Sequence, residues 1–307
     1  MKCLILGGGG FLGSHLSEAL LGQGYAVRIF DRPNLFRFKS FQRDEAVEWF
    51  EGDFINREHI AQAVSGCDVI YHLISTTLPR SSNENPAYDV ETNVVGTLRL
   101  LEVAQKNNIR KVIFVSSGGT VYGIPQQVPI TESHPTEPIC SYGIGKLAIE
   151  KYLNLFHLLH GMDYCVLRLA NPFGERQRIA SEQGAVTAFL DKALRKEEIE
   201  IWGDGSVVRD YFYVSDAVSA MTKALACEGA SGVFNIGSGT GQSLNQILSA
   251  MEASLGTSIR RTYLPARGFD VPVSVMDISK AATLLGWRPE TTFADGLSRT
   301  VRWLRKH

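Results

Sequence analysis

Residues 4–15 read LILGGGGFLGSH, an apolar run that ends in four glycines and leads directly into helix-like sequence. Gly7, Gly10 and Gly13 have the spacing of a turn whose backbone comes close to a pyrophosphate and whose helix sits tightly on the preceding strand. The amino end of such a helix offers amide donors and a positive partial charge to an anion. The stretch therefore predicts a dinucleotide site at the carboxyl end of the first strand.

A carboxylate follows at the position that discriminates between dinucleotides. Residues 27–31 read VRIFD and end a second strand at Asp31, eighteen residues beyond Gly13. An aspartate there accepts hydrogen bonds from the ribose hydroxyls of NAD and repels the extra phosphate of NADP. Although Arg32 beside it would weaken that repulsion, the pattern favours NAD. Asp53 ends a third strand, and it is either a contact for the adenine amino group or a turn residue.

Strand-like and helix-like segments alternate through the first half of the chain. The predicted strands are residues 3–6, 26–30, 47–50, 69–73, 112–115 and 165–169, and the predicted helices are residues 11–23, 60–64, 90–105 and 142–159. This alternation predicts an α/β fold with a Rossmann-type doubly wound parallel sheet. Shorter elements follow residue 174, with helices expected at 186–195, 216–226, 244–255 and 294–304. We expect an NAD-binding domain at 1–170 and a smaller carboxyl-terminal α/β substrate lobe at 171–307, with chain crossings between them.

The composition narrows the class of protein. The chain has 307 residues, 44% of them hydrophobic, and a formal net charge of −1, which excludes the basic surface that nucleic-acid binding needs. Its five cysteines are scattered without a CxxC pair, which favours reduced thiols over a disulfide frame or a zinc site. No apolar run reaches the ~20 residues of a membrane span, and the amino end lacks the pattern of a signal peptide. We expect a cytoplasmic protein with no metal and no nucleic-acid or membrane partner.

Residues 142–146, YGIGK, place a phenol and an ammonium one helical turn apart on one face. A free tyrosine has a pKa of about 10, which is too high for a base at neutral pH. The Lys146 ammonium and the positive nicotinamide ring of bound NAD would favour the Tyr142 phenolate. Ser116 and Ser117 end the apolar strand before this helix, so their hydroxyls lie at the sheet edge where α/β proteins bind ligands.

With these motifs the chain resembles the extended short-chain dehydrogenases/reductases, and within them the UDP-hexose 4-epimerases. The resemblance runs from end to end through GGGGFLG, NVVGT, SSGGTVYG, YGIGK, RLANPFG, WGDGSVVRDYFYVSD and RGFDVPVSVMDISKA. It implies NAD as the cofactor, a UDP-sugar as the substrate, and 4-epimerisation through a transient 4-keto intermediate. The implied cofactor contacts are Gly7, Gly10, Phe11, Leu12, Gly13, Asp31, Arg32, Asp53, Phe54, Leu73, Asn93, Ser116, Tyr142 and Lys146. The implied substrate contacts are Thr120, Asn171, Arg178, Val186, Trp202, Arg209, Arg267 and Asp270.

The chain departs from the resembled pattern in the loop after the strand at 112–115. Family members carry Ser or Thr where this chain has Gly118, and that hydroxyl bonds the reacting sugar oxygen beside the tyrosine. The replacement is Ser117, Thr120 or a water molecule, and we expect Ser117. The expected catalytic set is then Tyr142, Lys146 and Ser117.

The sequence leaves the identity of the hexose open between two possibilities. In the resembled epimerases the position of Ser274 limits sugar size, and a small residue there admits UDP-GlcNAc and UDP-GalNAc as well as UDP-Glc and UDP-Gal. Arg178 is expected near the sugar end, where an arginine would suit the C6 carboxylate of a UDP-glucuronate 4-epimerase, unless it is a solvent-facing loop charge.

Two further alternatives are disfavoured by particular residues. Another nucleotide-sugar oxidoreductase or a dehydratase is one of them, since a dehydratase needs an acid–base pair at Gly119 and Thr120. A non-catalytic NAD sensor is the other, and it would not need Tyr142 and Lys146. The predicted helix at 142–159 is apolar on more than one face, so we expect a homodimer built through a helical bundle.

Overall fold

The computed structural model of the protein describes residues 1–38, 41, 46–179, 184–227, 231–266 and 271–306. Its strands, numbered along the chain, are β1 (Lys2–Leu6), β2 (Ala26–Asp31), β3 (Val47–Glu51), β4 (Val69–His72), β5 (Lys111–Ser117), β6 (Asp163–Leu169), β7 (Asn171–Phe173), β8 (Ile199–Trp202), β9 (Val208–Tyr213), β10 (Gly232–Ile236), β11 (Gly241–Ser243), β12 (Arg261–Leu264) and β13 (Val273–Ser274). Its helices are α1 (Phe11–Gly22), α2 (Arg57–Val64), α3 (Pro79–Glu84), α4 (Pro86–Asp89), α5 (Gly96–Lys106), α6 (Ser141–His160), α7 (Ala185–Leu194), α8 (Val214–Ala226), α9 (Leu244–Leu255), α10 (Ser279–Leu284) and α11 (Phe293–Leu304). A π-helical segment at Val90–Val95 joins α4 to α5.

A seven-stranded parallel sheet forms the centre of the molecule, in the order β10-β6-β5-β4-β1-β2-β3. The winding direction reverses beside β1, because β2 lies on one side of it and β4 on the other. Ligands of such sheets bind outside the carboxyl ends of the strands at this reversal. The predicted Rossmann-type fold is confirmed, and the glycine loop after β1 lies at its switch point.

Helices bury both faces of this sheet, which explains why its inner strands are apolar almost throughout. Successive side chains of β1 point to opposite faces, so Leu4 and Leu6 contribute to one core and Ile5 to the other. The first core lies under α2, α5 and α6, and the second lies under α1 and α8. Both cores are continuous through the width of the sheet.

The second half of the chain builds a smaller lobe and also completes the large sheet. In the smaller lobe β9 is central, since it pairs with β11, β13 and β7, and β8 pairs with β12. Helices α7, α9 and α11 cover a third core there, which includes Val186 and Ile247. The chain then returns, because β10 joins the large sheet beside β6 and α8 packs against α1.

The four predicted helices of the second half lie within two residues of their predicted ends, whereas α10 was not predicted and the segment at 79–95 differs from expectation. Two short helices, α3 and α4, precede the expected helix at 90–105, and that helix begins as π-helix. Both short helices start at a proline, Pro79 and Pro86, whose missing N–H costs nothing at the first helical position. Within the described part of the chain, no helix is long and apolar enough to cross a bilayer. In that same part, no group of three or more His, Cys, Asp or Glu side chains could hold a metal ion.

Close seating of α1 on the glycine loop generates a stability prediction. A Cβ at Gly13 would lie 2.3 Å from the Gly7 carbonyl oxygen and 2.5 Å from the Gly8 Cα, so backbone would have to move. We expect Gly13→Ala to lower the free energy of unfolding by about 3 kcal/mol or more. Gly22→Ala on the same helix meets nothing within 4 Å and should instead raise stability by about 0.5–1 kcal/mol.

Urea unfolding of the two variants beside the parent protein makes the measurement. Equal effects of the two substitutions would show that helix propensity, and not the contact at Gly13, governs this helix.

Candidate active site

The glycine loop presents uncapped amide groups at the switch point of the sheet. Gly7 has φ +84°, in the left-handed region that favours glycine, and its carbonyl oxygen accepts from Gly10 N at 3.1 Å. Among the described residues no side chain caps the amino end of α1, and its first turn contains no acidic residue. The amides of that turn and the positive end of the helix therefore suit an anion such as a dinucleotide pyrophosphate.

Asp31 closes β2 beside this loop and is held by two backbone amides. Its carboxylate accepts from Gly9 N at 3.0 Å and from Arg32 N at 2.9 Å. Burial raises the pKa of Asp31, while these two hydrogen bonds and the charges of Arg32 and Arg178 oppose the shift. A carboxylate with unused acceptor positions at this place suits the ribose hydroxyls of NAD.

Arg178 is the residue expected near the sugar end. Its charge opposes the burial that raises the pKa of Asp31 at the end of β2, and its guanidinium lies 6.0 Å from the centre of the Phe38 ring. Its contact with the sugar stays a prediction.

The other expected cofactor residues surround the same edge with different degrees of burial. Phe11 and Leu12 form the first turn of α1 and are half-buried against the core of the smaller lobe. Leu73 follows β4, and its amide donates to Leu6 O at 3.0 Å. Phe54 is buried, and its ring lies tilted against that of His72 with 5.2 Å between the ring centres. The Asp53 carboxylate accepts from Ile55 N, which is the turn role, so its contact with adenine stays a prediction.

Asn93 fastens the loop after β4 to the π-helical segment. Its Nδ2 donates to Thr76 Oγ1 at 2.8 Å and to Asp89 Oδ1 at 2.9 Å, and its Oδ1 accepts from Thr76 N at 3.0 Å. A fourth contact joins Nδ2 to Thr77 Oγ1 at 3.3 Å. The amide is thus used by the protein itself, and it fixes the backbone beside the carboxyl end of β4.

Tyr142 and Lys146 come together in the first turns of α6, between the ends of β4 and β5. The Lys146 ammonium is 6% exposed, donates to Val115 O at 3.0 Å, and lies 5.5 Å from the centre of the Tyr142 ring. Its other aromatic neighbour is Phe114, 4.7 Å away. The amide of Tyr142 donates to Ser82 Oγ at 3.0 Å, which fixes the start of the helix. The predicted one-turn juxtaposition of phenol and ammonium is therefore present in the fold.

Burial dominates the ionisation of both groups. It raises the pKa of Tyr142, and the nearby Cys140 and Asp89 add to this, while a hydrogen bond with Ser75 acts in the opposite direction. Burial also lowers the pKa of Lys146 to about 8, although Asp89 and Glu150 raise it. The rise in the pKa of Tyr142 is opposite to the effect expected of Lys146 together with the positive nicotinamide ring of bound NAD. Ionisation of Tyr142 requires a further positive charge in the site.

Ser116 points away from the edge and into a buried ion pair. Its hydroxyl donates to Glu150 Oε1 at 2.5 Å, and Glu150 is bound by Arg168 through Nη2 at 2.6 Å. The Arg168 guanidinium also lies 4.7 Å from the centre of the Tyr122 ring. Ser117, the next residue, is half-buried, and its carbonyl oxygen accepts from Val121 N at 3.2 Å in the turn that ends β5. Of the two serines, Ser117 is the one whose side chain leaves this network.

Met276 from the smaller lobe occupies the space beside Gly118. A Cβ on Gly118 would lie 2.9 Å from Met276 Sδ and 3.2 Å from Leu169 O, and Met276 is 1% exposed. The space of a side chain at 118 is thus occupied by a thioether. Thr120 lies against α6, because its carbonyl oxygen would be 2.8 Å from a Cβ on Gly143, and its enclosed hydroxyl has no hydrogen-bond partner among the described residues. Thr120 therefore has an unused hydroxyl and contacts α6 at Gly143, the residue that follows Tyr142.

Trp202, one of the expected substrate residues, borders an open cleft of about 980 Å³ in the smaller lobe. Tyr263 and Val273 also line this cleft, and Trp202 is 41% exposed. Arg209 on β9 donates to Val208 O at 2.9 Å and to Val271 O at 2.6 Å.

The remaining expected substrate residues have different surroundings. Ser274 is buried and is the strand partner of Arg209. Asn171 is half-buried and donates to Asp210 O at 3.0 Å, whereas Val186 is fully buried in the core of the smaller lobe. Arg267 and Asp270 lie outside the described residues.

Three residues near the tyrosine were not identified from the sequence. Ser75 could have been found, because residues 75–77 read STT directly after a strand that is adjacent to β5, and the carboxyl ends of parallel strands share one edge. Asp89 and Met276 carry no such signal. Two of the three hydrogen-bond partners of Asp89 are 12 and 52 residues away, and Met276 meets Gly118 only through folding.

Comparisons of this chain with known proteins all point to one family. A family model described as "NAD dependent epimerase/dehydratase family" matches residues 3–237. The chain is 35% identical to a putative UDP-glucose 4-epimerase of Methanocaldococcus jannaschii over 306 residues, which cover 99% of this chain and 98% of that protein. A UDP-glucose 4-epimerase structure with UDP-glucose from Thermotoga maritima has a TM-score of 0.93 at 37% identity, covering 100% of this chain and 99% of that one. The Thermus thermophilus UDP-glucose 4-epimerase in complex with NAD has a TM-score of 0.91 at 30% identity, covering 99% of each chain.

The contact between Gly118 and Met276 predicts that the usual hydroxyl is not restored by a single change. Gly118→Ser should lower the free energy of unfolding by about 1–3 kcal/mol, because its Cβ meets the thioether and a backbone oxygen. Gly119→Ser, which meets nothing within 4 Å, should stay within about 0.5 kcal/mol of the parent.

A double-mutant cycle with Met276→Ala measures whether the two positions interact. Chemical unfolding should show that Gly118→Ser costs less when Met276 is already truncated. Strict additivity of the two substitutions would contradict the contact.

Proposed function

This chain belongs to the NAD dependent epimerase/dehydratase family, and from that premise we propose that it catalyses the NAD-dependent 4-epimerisation of a UDP-hexose through a transient 4-keto sugar. The observation that carries the proposal is the juxtaposition of half-buried Tyr142 and the buried Lys146 at the carboxyl edge of the sheet. The uncapped glycine loop lies at the same edge, and the smaller lobe contributes an open cleft bordered by Trp202. The reaction needs a cofactor site and a substrate site next to one acid–base pair.

The residues that would hold NAD follow from the described contacts. The amides at the start of α1 suit its pyrophosphate, and Asp31 suits its adenosine ribose. When bound, NAD supplies an acceptor and later a donor for the hydride of sugar C4, together with a positive ring that favours a nearby phenolate. Asp31 disfavours NADP, because a second negative charge would be buried beside a carboxylate.

Tyr142 is proposed to remove the proton from the sugar 4-hydroxyl and to return it after the sugar has turned. Support comes from its enclosed position beside the Lys146 ammonium, where a phenolate is stabilised only inside the assembled site. Lys146 holds its position through the Val115 carbonyl oxygen. Ser117 and Thr120 are the two hydroxyls proposed to contact the reacting oxygen in place of Gly118. Thr120 gains support from its unused hydroxyl.

Turning the sugar over requires a firm grip on UDP and a loose grip on the hexose. Trp202 offers an exposed ring for stacking a base, and Arg209 offers a guanidinium for a phosphate. Binding energy gained at this remote end can then be used at the reacting carbon. Arg267 and Asp270 are proposed as further UDP contacts.

The choice of hexose rests on two residues. Ser274 is small and lies beside Arg209, which supports acceptance of N-acetyl sugars as well as glucose and galactose. A UDP-glucuronate 4-epimerase is the alternative, and it would use Arg178 to meet the C6 carboxylate of the sugar. The Tyr142–Lys146 pair disfavours a non-catalytic NAD sensor, and Gly119 with Thr120 lacks the acid–base pair of a dehydratase.

We extend the proposal to a homodimer through α6 in the cytoplasm. This helix exposes four large apolar residues at helical spacing, and their exposed fractions are 54% for Ile144, 42% for Leu155, 71% for Leu158 and 65% for Leu159. A second copy of the same stripe would bury them. The five free cysteines are in keeping with a reducing compartment.

Replacing the proposed base is the direct test of function. Tyr142→Phe should lower kcat by about 10²–10⁴-fold while UDP binding is retained, because only the proton transfer is lost. Tyr152→Phe on the same helix is the matched control and should keep full turnover. Interconversion of UDP-glucose, UDP-GlcNAc and UDP-glucuronate, each without added NAD, is the assay. Full turnover by Tyr142→Phe would exclude it as the base.

The dimer has its own test in the apolar stripe. Leu158→Asp combined with Leu159→Asp should convert the protein to a monomer, because charges replace the surface that the partner covers. Ile124→Asp, at a residue 66% exposed outside α6, should leave the assembly intact. Sedimentation velocity distinguishes the species. A monomeric parent protein would refute the proposed dimer.

A further inference from the structure

Asp89 is a buried carboxylate at the point where three segments meet, and it has no role in the function proposed above. It is 1% exposed, and its Oδ1 accepts from Asn93 Nδ2 at 2.9 Å and from the Thr77 hydroxyl. Its Oδ2 accepts from Ser141 Oγ at 2.7 Å. These donors belong to the loop after β4, the π-helical segment and the first residue of α6. Asp89 therefore ties the cofactor-side loop to the residue that directly precedes Tyr142.

All three donors are neutral, so these bonds leave the negative charge uncompensated in a dry environment. Burying such a charge is costly unless a cation or a dipole compensates it. The positive end of α6 lies at Ser141 and supplies part of the compensation. Asp89 also packs against α6 directly before Lys146, because a Cβ on Gly145 would lie 3.6 Å from Asp89 Oδ2, and its electrostatic interaction with Lys146 is favourable. The ammonium of Lys146 is thus the cation available to this carboxylate.

The second carboxylate near Lys146 is already paired. Glu150 is bound by Arg168 through Nε at 3.0 Å and Nη2 at 2.6 Å, and its Oε1 also accepts from Ser116. A buried carboxylate with its own guanidinium presents little net charge to a neighbour. Glu150 therefore does not replace Asp89 as the counterion of Lys146.

The remaining titratable groups around the pair are uncharged in the working range. His72 on β4 has its pKa lowered to about 3 by burial and by Lys146, so its ring is neutral. Cys140 precedes α6, and burial raises the pKa of its thiol. The charges that face Tyr142 and Lys146 from the described elements are therefore that of Asp89 and the compensated pair of Glu150 and Arg168.

We propose that Asp89 is a positioning residue that serves as the counterion of Lys146 and sets the pH range in which Tyr142 and Lys146 work. A nearby negative charge raises the pKa of a phenol and of an ammonium alike. Asp89 thus keeps Lys146 protonated inside a dry site, and it also delays ionisation of Tyr142. The inference rests on the proposed function, since Tyr142 and Lys146 are the reacting pair there.

The direction of the effect separates this role from a structural one. Turnover falls at low pH when Tyr142 takes up a proton, and it falls at high pH when Lys146 loses one. Removing the charge of Asp89 lowers both pKa values, so both limbs of the kcat profile should move to lower pH. A residue that only holds the loop in place would lower kcat and leave both limbs where they are.

Asp89→Asn keeps the size of the side chain and an acceptor for the Thr77 and Asn93 donors. We expect both limbs of its kcat–pH profile to move down by about one pH unit, because a nearby negative charge is lost. Near-ultraviolet phenolate absorbance, compared with and without Tyr142→Phe, should move in the same direction. Two control variants are used, of which one retains the charge of Asp89 and the other removes the charge of a different carboxylate. Ser141→Ala loses one bond to Asp89, and Asp216→Asn removes a buried carboxylate on α8 that binds Glu290 N and Thr291 N. Both controls should lower stability without moving either limb.

A stability cycle covers the case in which Asp89→Asn is too unstable to assay. Lys146→Met and Asp89→Asn should each lower the unfolding midpoint, and the double variant should recover part of the loss, because neither charge is then left alone. A double variant no more stable than the weaker single variant overturns the pairing. The pairing is also overturned if the Asp89→Asn protein is active and the limbs of its kcat–pH profile do not move. Full turnover by Tyr142→Phe would instead refute the proposed function, while the stability cycle still decides the pairing.

Discussion

The contact of α1 with the backbone of the glycine loop is the constraint from which the rest of the site follows. Gly13 lies so close to Gly7 and Gly8 that any side chain would displace backbone. This seating brings the amino end of α1 to the carboxyl edge of the sheet, at the place where the strand order reverses. An anion bound there lies beside the ends of β4 and β5. Those ends are also where α6 delivers Tyr142 and Lys146.

The ionisation of the groups in this site is controlled by burial and by which opposite charge compensates each ion. Lys146 is nearly inaccessible and bonded to a carbonyl oxygen, so its charge depends on neighbouring carboxylates. Glu150 is matched by Arg168, whereas the hydrogen bonds of Asp89 come only from neutral groups. A phenol in such surroundings ionises reluctantly, which makes its reactivity conditional on what is bound.

The smaller lobe reaches into the catalytic edge through Met276. Asp210 is fully buried and accepts from Ser238 N at 2.7 Å and from Met276 N at 3.3 Å, so it fixes the segment after β13. That segment places the Met276 thioether against Gly118. The two lobes are consequently joined at the point where the reacting sugar oxygen is proposed to bind. A change in either lobe alters the space available to the other.

The sequence by itself determined the fold, the dinucleotide loop, the acidic end of β2 and the Tyr142–Lys146 juxtaposition. Each of these is set by spacing along a single strand or helix, and local geometry converts spacing into position. It gave no sign of the contacts of Asp89 with Thr77 and Ser141, or of the contact between Met276 and Gly118. Nor did it show that burial raises the pKa of Tyr142. Those features depend on contacts between residues tens of positions apart and on the exclusion of water. Only the tertiary structure decides them, because packing sets both which groups meet and how strongly their charges act.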